Sequence, residues 1–254
     1  MLLFEKHDKV GWLTLNRPDV YNAFNREMAL AVQDALKDCE ADKAVRAIYL
    51  TGAGKAFCAG QDLQEAMQTE SLHTILHEHY NPIIRLLRSI EKPIVCAVNG
   101  VAAGAGANIA LACDITVATA SASFIQAFSK IGLIPDSSGT FFLPRIVGFQ
   151  RASALMMLGD KVNAADAETM GMIYRCIPDE QFSEESKKLV LKLSDMPTKG
   201  LGLTKRALNA SFQNNLEQQL QLEDELQSEA GKTYDYNEGV KAFLEKRRPE
   251  FRGE

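Results

Sequence analysis

Short apolar runs alternate with helical patterns over about the first 130 residues of this 254-residue chain. Val45–Leu50 and Pro93–Val98 predict buried strands, and each is followed by a glycine-rich turn and a helical stretch. A helix over roughly Arg26–Cys39 is predicted as well, with Asn25 as its N-cap. Because alternating strands and helices pack as layers, the pattern predicts an α/β core.

The remainder of the chain reads mainly as helices, with Tyr174–Ile177 as the only late strand. Pro197 marks a boundary between a core of residues 1–195 and a charged helical region of residues 196–254. Leucines at 216, 220, 222 and 226 in that region fit two interpretations equally well, a helical layer over the core or an oligomer interface. Farther upstream, a helix over Leu72–Ile90 is predicted to kink or restart at Pro82.

Bulk composition excludes several classes of protein. A net charge of −5 argues against a broad nucleic-acid surface. No apolar run is long enough to cross a bilayer, and the N-terminus lacks the pattern of a secretory signal, so a cytoplasmic protein without membrane contact is expected. The five cysteines are scattered without a CxxC pair, which argues against a disulfide framework or a zinc knuckle.

A histidine-rich stretch, LHTILHEHY, holds His73, His77 and His79. Histidines at i and i+4 share a helix face and can bind zinc. The HExxH pattern requires a glutamate where Thr74 stands, and no third ligand is evident. We therefore predict an exposed helix or one that lines a lid, without a metal ion.

Two glycine-rich turns can carry chemistry: Ala59-Gly60-Gln61-Asp62-Leu63 and Ala103-Gly104-Ala105-Gly106. Neither completes a phosphate-binding motif. A strand that turns through glycine into a helix leaves outward-pointing N–H groups, and two such turns side by side form an oxyanion hole. The alternative from the residues alone is that both turns only allow close packing.

Asp136 stands in the stretch GLIPDSSGTFFLPR, between an apolar pair and a helix start. Aspartate is a preferred N-cap, so one function of Asp136 is to cap a helix that begins near Ser137 or Ser138. The other is to act as the acid/base group of an enzyme. The residues alone favour the cap.

Three stretches carry a resemblance to a known family. KAFCAGQDL, then KPIVCAVNGVAAGAGANIALACDITVATASASF, then GLIPDSSGTFFLPRIVG resemble in order and spacing the enoyl-CoA hydratase/isomerase (crotonase) superfamily, and the tail FLEKRRPEFRG is similar as well. The resemblance implies a spiral of β-β-α units with a C-terminal helical region that builds a homotrimer or a dimer of trimers. It also implies an acyl-CoA thioester substrate, with coenzyme A as part of the substrate and no further cofactor.

The resemblance assigns site residues as well. Gln61 and Ala105 would supply the two backbone N–H groups that hold the thioester oxygen. The segment Ala59, Gly60, Gln61, Asp62 and Leu63 would border the adenine and pantetheine, with Asp62 also able to cap the helix that follows. Candidates for the CoA phosphates are four cations, each of which also fits a solvated surface charge: Arg17, Lys55, Lys246 and Arg247.

The reaction depends on carboxylates. The two positions at which a hydratase of this family carries glutamates are Asn108 and Phe128 here, and neither side chain can exchange a proton at neutral pH. Asp136 remains, as in the isomerase branch, where one group removes a proton and returns it two carbons away. The family motifs favour this function over the cap, and burial beside Leu133, Ile134 and Phe141 is expected to raise its pKa.

The motif around Asp136 is closest to the branch that converts 1,2-epoxyphenylacetyl-CoA to its oxepin form and also shifts double bonds. It departs at Ser138-Gly139, where that branch has two glycines. Three alternatives stay open: a hydratase with an atypical site, a dehalogenase-type enzyme with Asp136 as nucleophile, and a non-catalytic acyl-CoA-binding subunit. The second needs a tryptophan and a histidine near the ring, and the only tryptophan is Trp12.

Overall fold

The computed structural model describes residues 1–69 and 71–254. The ten strands it shows there are β1 (Leu2–His7), β2 (Val10–Leu15), β3 (Ala47–Gly52), β4 (Ala56–Cys58), β5 (Ile94–Val98), β6 (Val101–Ala103), β7 (Ile115–Thr119), β8 (Ser123–Ile125), β9 (Lys161–Asn163) and β10 (Arg175–Ile177). The helices are α1 (Arg26–Ala41), α2 (Leu63–Thr69), α3 (Leu72–Thr74), α4 (Asn81–Ser89), α5 (Ala105–Ala112), α6 (Gly139–Val147), α7 (Phe149–Leu158), α8 (Ala164–Thr169), α9 (Asp179–Ser194), α10 (Thr198–Ser211), α11 (Leu216–Ala230) and α12 (Tyr234–Leu244). None of these helices is long and apolar enough to span a membrane.

The ten strands form two sheets. The larger has the strand order β1-β2-β3-β5-β7-β10 and the smaller has the order β4-β6-β8-β9. Three successive strand pairs, β3–β4, β5–β6 and β7–β8, each place their first strand in the larger sheet and their second in the smaller. This repeated step is the predicted α/β spiral.

Both faces of the larger sheet are buried at its central strands β3, β5 and β7, which explains their nearly continuous apolar sequences. Alternate residues such as Leu50 and Cys96 face a core shared with α1, α4 and α5. Their neighbours Tyr49 and Val95 face the opposite side, where α9 covers them. The hydroxyls of Tyr49 and Ser186 are hydrogen-bonded at 2.8 Å across this second layer.

The helix predicted over Leu72–Ile90 restarts at Pro82 through a π-helical turn, Ile75–Tyr80. Proline lacks the N–H that would bond back to the carbonyl of Glu78. The side-chain amide of Gln33 donates instead to the carbonyls of Glu78, at 2.7 Å, and His79, at 3.1 Å. The wider turn also brings Tyr80 to the inner face of the helix, where it is 1% exposed.

The prediction of a single late strand is wrong, since β9 also lies after residue 130. Its three residues, Lys161–Asn163, pair antiparallel with β8 and complete the smaller sheet. Only Val162 of the three is buried, so the stretch has no apolar pattern of its own. Its strand form depends on pairing with a distant segment, which local sequence does not show.

Candidate active site

The two glycine-rich turns lie next to each other because β4 and β6 pair in parallel. Gly60 has φ +94° and Gly104 has φ +53°, a left-handed region that glycine enters without strain. A Cβ on Gly60 would lie 3.0 Å from the carbonyl oxygen of Ala103 and 3.6 Å from the nitrogen of Ala105. A larger residue at position 60 would therefore push the turns apart.

Two N–H groups at these turns are available to a ligand. Phe24 pairs with the loop through the carbonyl of Gly60 and the nitrogen of Asp62, so the intervening nitrogen of Gln61 points away from Phe24. Ala105 begins α5, where an N–H has no partner within the helix. Neither N–H has an acceptor among the residues that the structure describes. The arrangement can hold an oxygen that acquires negative charge.

A cavity of about 460 Å³ opens at these turns, and its lining residues lie in four stretches of the chain, 59–66, 72–81, 104–105 and 127–140. Of the predicted site residues, those on its lining are Ala59, Gly60, Gln61, Leu63, Ala105 and Asp136. Asp136 is the only carboxylate among the described lining residues, and most of its neighbours there are apolar. The predicted residues of the two glycine-rich turns and Asp136 thus line one pocket.

Asp136 is partly buried, and this burial raises the pKa of its carboxyl from 3.8 to about 6. The hydroxyl of Ser137 donates to its Oδ1 at 2.8 Å, which opposes the shift. Ser137 itself is 2% exposed. At neutral pH the carboxylate is largely deprotonated, yet its pKa lies close enough to take a proton and give it back.

The cap interpretation of Asp136 is wrong. Helix α6 begins at Gly139, its N-cap position is Ser138, and no side chain caps it. Only the backbone carbonyl of Asp136 bonds the helix start, accepting from the nitrogen of Gly139 at 2.8 Å. The carboxylate faces the cavity because Ser137 and Ser138, with φ of 48° and 63°, turn the chain through two left-handed residues.

The neighbours of Asp136 differ from those expected. Leu133 is 37% exposed and Ile134 is 80% exposed, so they form an open rim of the cavity and not a buried pair. Phe141 packs on Phe142 and Phe212, away from the cavity lining. Burial of Asp136 comes instead from the cavity wall, which includes Tyr80 and Phe128.

Tyr80 is a further residue of the cavity lining. Its hydroxyl donates to Oε1 of Gln61 at 2.7 Å, and its ring packs on Phe24 at a centroid distance of 5.7 Å. Burial, with smaller effects from Cys58 and the Asp136 carboxylate, raises the pKa of Tyr80, so it remains a phenol. The side chain of Gln61 is therefore held in place beside its own N–H.

The remaining predicted residues lie elsewhere. Asp62 caps α2 through the nitrogens of Gln64 and Glu65 and pairs with Arg17 at 2.9 Å. Arg17 also donates to the carbonyl of Ala23, so its guanidinium links Ala23 to Asp62 and lies outside the described cavity lining.

Three further cations are predicted to contact the CoA phosphates. Lys55 and Lys246 are exposed, and Arg247 forms ion pairs with Glu238 and Glu245. None of them, and neither Arg17 nor Asp62, is among the described residues that line the cavity. Their contact with a CoA phosphate stays a prediction.

The histidine-rich stretch forms part of the helix that covers the cavity. The rings of His73 and His77 stack on its exposed face at a centroid distance of 5.5 Å. Over residues 1–69 and 71–254, no group of three or more potential metal ligands occurs. Leu72, Ile75, Leu76 and Tyr80 of this stretch line the cavity, and none of its three histidines does.

Comparison with known proteins places this geometry in a family. The sequence model for enoyl-CoA hydratase/isomerase matches residues 5–254. The chain belongs to the enoyl-CoA hydratase/isomerase family. Among its relatives, the 1,2-epoxyphenylacetyl-CoA isomerase of Escherichia coli K12 is 47% identical over 95% of this chain and 94% of the relative. A probable enoyl-CoA hydratase of Rhodobacter capsulatus is 43% identical over 98% of this chain and 97% of the relative.

Solved structures of the family share the fold. An enoyl-CoA hydratase from Mycobacterium smegmatis superimposes with a TM-score of 0.92 at 30% identity, covering 98% of both chains. The relative named for isomerisation and the relative named for hydration have similar sequence identities to this chain, 47% and 43%. The family is fixed by these comparisons, and the reaction must be argued from the site.

Proposed function

We propose that this family member is an acyl-CoA isomerase that moves a double bond, or opens a ring epoxide to an oxepin, with Asp136 as its acid/base group. The observation that carries the proposal is one carboxylate with a raised pKa in the same largely apolar cavity as two backbone N–H groups without an acceptor among the described residues. The acyl-CoA thioester is the substrate named for the relatives of this chain.

The reaction needs only these groups. The carboxylate of Asp136 takes a proton from the carbon next to the thioester of a 3-enoyl-CoA, and the electron pair of that C–H bond moves into the dienolate. The N–H groups of Gln61 and Ala105 stabilise the negative charge on the thioester oxygen. Protonated Asp136 then gives the proton to the γ carbon, which yields the 2-enoyl-CoA. No atom is gained or lost, so a second acid/base group is not required.

The two positions that would carry hydratase glutamates support isomerisation over hydration. Asn108 is 1% exposed, and both ends of its amide are hydrogen-bonded within the protein. Phe128 places an aromatic ring in the cavity wall. Neither can activate water. A hydratase of this family would have to work here through Asp136 alone.

Aromatic walls favour an acyl group that carries a ring. A Cβ on Gly104 would lie 3.8 Å from the ring of Phe128, so this ring stands over the second turn, and Tyr80 also lines the cavity. Contacts between aromatic rings stabilise an aromatic ligand by about 0.5–1.5 kcal/mol beyond burial. The non-aromatic ring of an epoxide would be stabilised by apolar burial against the same walls. Together with the likeness to the E. coli isomerase, they support 1,2-epoxyphenylacetyl-CoA as a substrate and a place in phenylacetate breakdown.

The assembly is part of the proposal. Several large apolar side chains of the C-terminal helical region are exposed in the single chain: Leu208, Phe212, Leu216, Leu220, Phe243 and Leu244. Scattered exposed leucines are ordinary, but a cluster on one region marks a contact surface. We propose a homotrimer or a dimer of trimers through this region, which light scattering of the purified protein would test.

Product identification tests the function. The purified chain is given a 3-enoyl-CoA, a 2-enoyl-CoA and the ring-epoxide thioester in separate reactions, and products are resolved by mass and NMR. We expect isomerised products of unchanged mass from the first or the third. A product heavier by one water from the 2-enoyl-CoA, without isomerisation, would instead identify a hydratase. Binding without turnover of any of the three would identify an acyl-CoA-binding protein.

A further inference from the structure

Asn108 lies directly behind the Asp136 loop, inside helix α5. Its Nδ2 donates to the backbone carbonyl of Asp136 at 2.8 Å. A carbonyl oxygen only accepts, so the nitrogen of the amide must face it. The hydrogen bond joins residues 28 positions apart, and it ties the loop that carries the carboxylate to a fully buried helix.

A second buried amide fixes the orientation of the first. Nε2 of Gln126 donates to Oδ1 of Asn108 at 2.7 Å, and Gln126 is 5% exposed. Oε1 of Gln126 has no hydrogen-bond partner among the described residues. An apolar residue at position 126 would leave the buried Oδ1 of Asn108 without its donor. The hydrogen bond from Gln126 therefore fixes which end of the Asn108 amide faces the carbonyl of Asp136.

The loop also rests on the Asn108 amide by direct contact. A Cβ on Gly139 would lie 2.4 Å from Nδ2 of Asn108. Between Asp136 and Gly139, Ser137 and Ser138 hold left-handed backbone conformations that cost non-glycine residues energy. Backbone strain of this kind persists only where surrounding contacts hold it. The Asn108 amide contacts both ends of the two-residue turn, in addition to the direct hydrogen bond from the nitrogen of Gly139 to the carbonyl of Asp136.

We propose that Asn108, oriented by Gln126, is a positioning residue that fixes the backbone of Asp136 and thereby aims its carboxylate into the cavity. The inference rests on the proposed function of Asp136. It gives a role to the position where a hydratase of this family carries a glutamate: the side chain there no longer exchanges protons but holds the group that does.

Four variants separate positioning from packing. Asn108→Ala removes the hydrogen bond and leaves a space. Gly139→Ala places a methyl group against the amide and displaces it. The double variant fills the space with the new methyl group but lacks the hydrogen bond. Gln126→Met keeps about the volume of Gln126 and removes its amide, including the Nε2 donor to Asn108, so it is the matched control for the orienting amide.

We expect Asn108→Ala and Gly139→Ala each to lower kcat with a 3-enoyl-CoA by about 10- to 100-fold, since a displacement near 1 Å can cost 10²-fold. KM should stay within about 2-fold, because the N–H pair is untouched. The double variant should remain as slow as Asn108→Ala, and Gln126→Met should show a smaller loss. Recovery of kcat in the double variant would show that Asn108 only fills space.

A readout independent of turnover completes the test. The carboxyl group of Asp136 is labelled with ¹³C and titrated by NMR in the wild type, Asn108→Ala and Gln126→Met. Release of the loop should expose the carboxyl to water and lower its pKa toward the ordinary aspartate value in Asn108→Ala. An unchanged pKa together with full kcat overturns the positioning role and leaves the proposed function intact. If the wild type isomerises nothing, the proposed function fails, and the titration alone still decides whether Asn108 positions Asp136.

Discussion

The hydroxyl of Ser137 donates to Oδ1 of Asp136 at 2.8 Å, in a cavity where burial has raised the pKa of that carboxyl to about 6. The two effects have opposite signs: desolvation favours the protonated acid, and the hydrogen bond favours the carboxylate. The balance leaves Asp136 ionised at neutral pH but still able to carry a proton. The hydroxyl of Ser137 thus limits how far the pKa of Asp136 rises.

Removal of that hydroxyl should shift the pH dependence of the reaction. As Asp136 must be deprotonated to act as a base, kcat/KM of the wild type should rise as pH increases through about 6 and then level off. Ser137→Gly removes the donor and tolerates the left-handed backbone, so the midpoint should move to higher pH. The measurement is the pH profile of both proteins, and an unchanged midpoint would show that the hydroxyl does not act on Asp136.

Replacement of the carboxylate should stabilise the fold at pH 7. The pKa of Asp136 is higher in the folded protein than its ordinary value of 3.8, so the folded state binds more protons between about pH 4 and 6 and its stability falls as pH rises through that window. Asp136→Asn removes this cost, which is on the order of 1–3 kcal/mol. Urea unfolding at pH 7 and at pH 4 should show a gain only at the higher pH. A loss at both pH values would instead be the behaviour of a helix cap.

Gly60→Ala should damage the oxyanion hole without touching Asp136. A methyl group at a φ of +94° would lie 3.0 Å from the carbonyl of Ala103, so the first turn must move away from the second. Loss of one aligned N–H donor typically costs 10²–10³-fold in kcat. We expect a decrease of about that size with a 3-enoyl-CoA. Gly132→Ala, which has open space around it but a similar φ of +74°, is the matched control for backbone strain.

Tyr80→Phe should weaken the hold on Gln61. The variant keeps the ring and its packing on Phe24 but leaves Oε1 of Gln61 without its 2.7 Å donor. Loss of one such hydrogen bond costs about 1 kcal/mol, so we expect kcat/KM to fall roughly 5-fold and urea unfolding to show a similar small loss. A fall of more than 100-fold would mean that the phenol itself takes part in proton transfer.

A substitution at Ser138 should increase the stability of the fold. Its φ of 63° costs a non-glycine residue about 1–2 kcal/mol, more than the chain entropy that glycine adds to the unfolded state. Ser138→Gly should therefore raise the free energy of unfolding by about 0.5–1 kcal/mol and keep the isomerase rate. Ser138→Val, with a branched side chain in the same conformation, should lower it. The comparison is made by thermal unfolding of both variants.

Much of the architecture could be predicted from local patterns. Asn25 caps α1 by accepting from the nitrogen of Met28, as its position before an apolar stretch predicts. Strand β9 was not predicted because its three residues become a strand only by pairing with β8. The restart at Pro82 was predictable, whereas the π-helical turn was not, because it depends on the distant side chain of Gln33.

The site residues likewise fall into those that local sequence predicts and those that it does not. Asp136 and the two glycine turns are contiguous motifs, so the sequence pointed to them before any geometry was available. The anchoring roles of Asn108 and Gln126 depend on contacts across 28 and 18 residues, and nothing local to either amide shows them. A polar residue within the apolar stretch of α5 was the one available signal, since buried amides require partners.

Asp136 is the residue that we propose to move the proton. The decisive measurement is kcat of the wild type and Asp136→Asn with a 3-enoyl-CoA, alongside the affinity of both for a non-reactive acyl-CoA. We expect kcat to fall by about 10²–10⁴-fold, the usual contribution of a general acid–base group, with affinity unchanged. A variant that isomerises at the wild-type rate would show that the carboxylate of Asp136 is not the base.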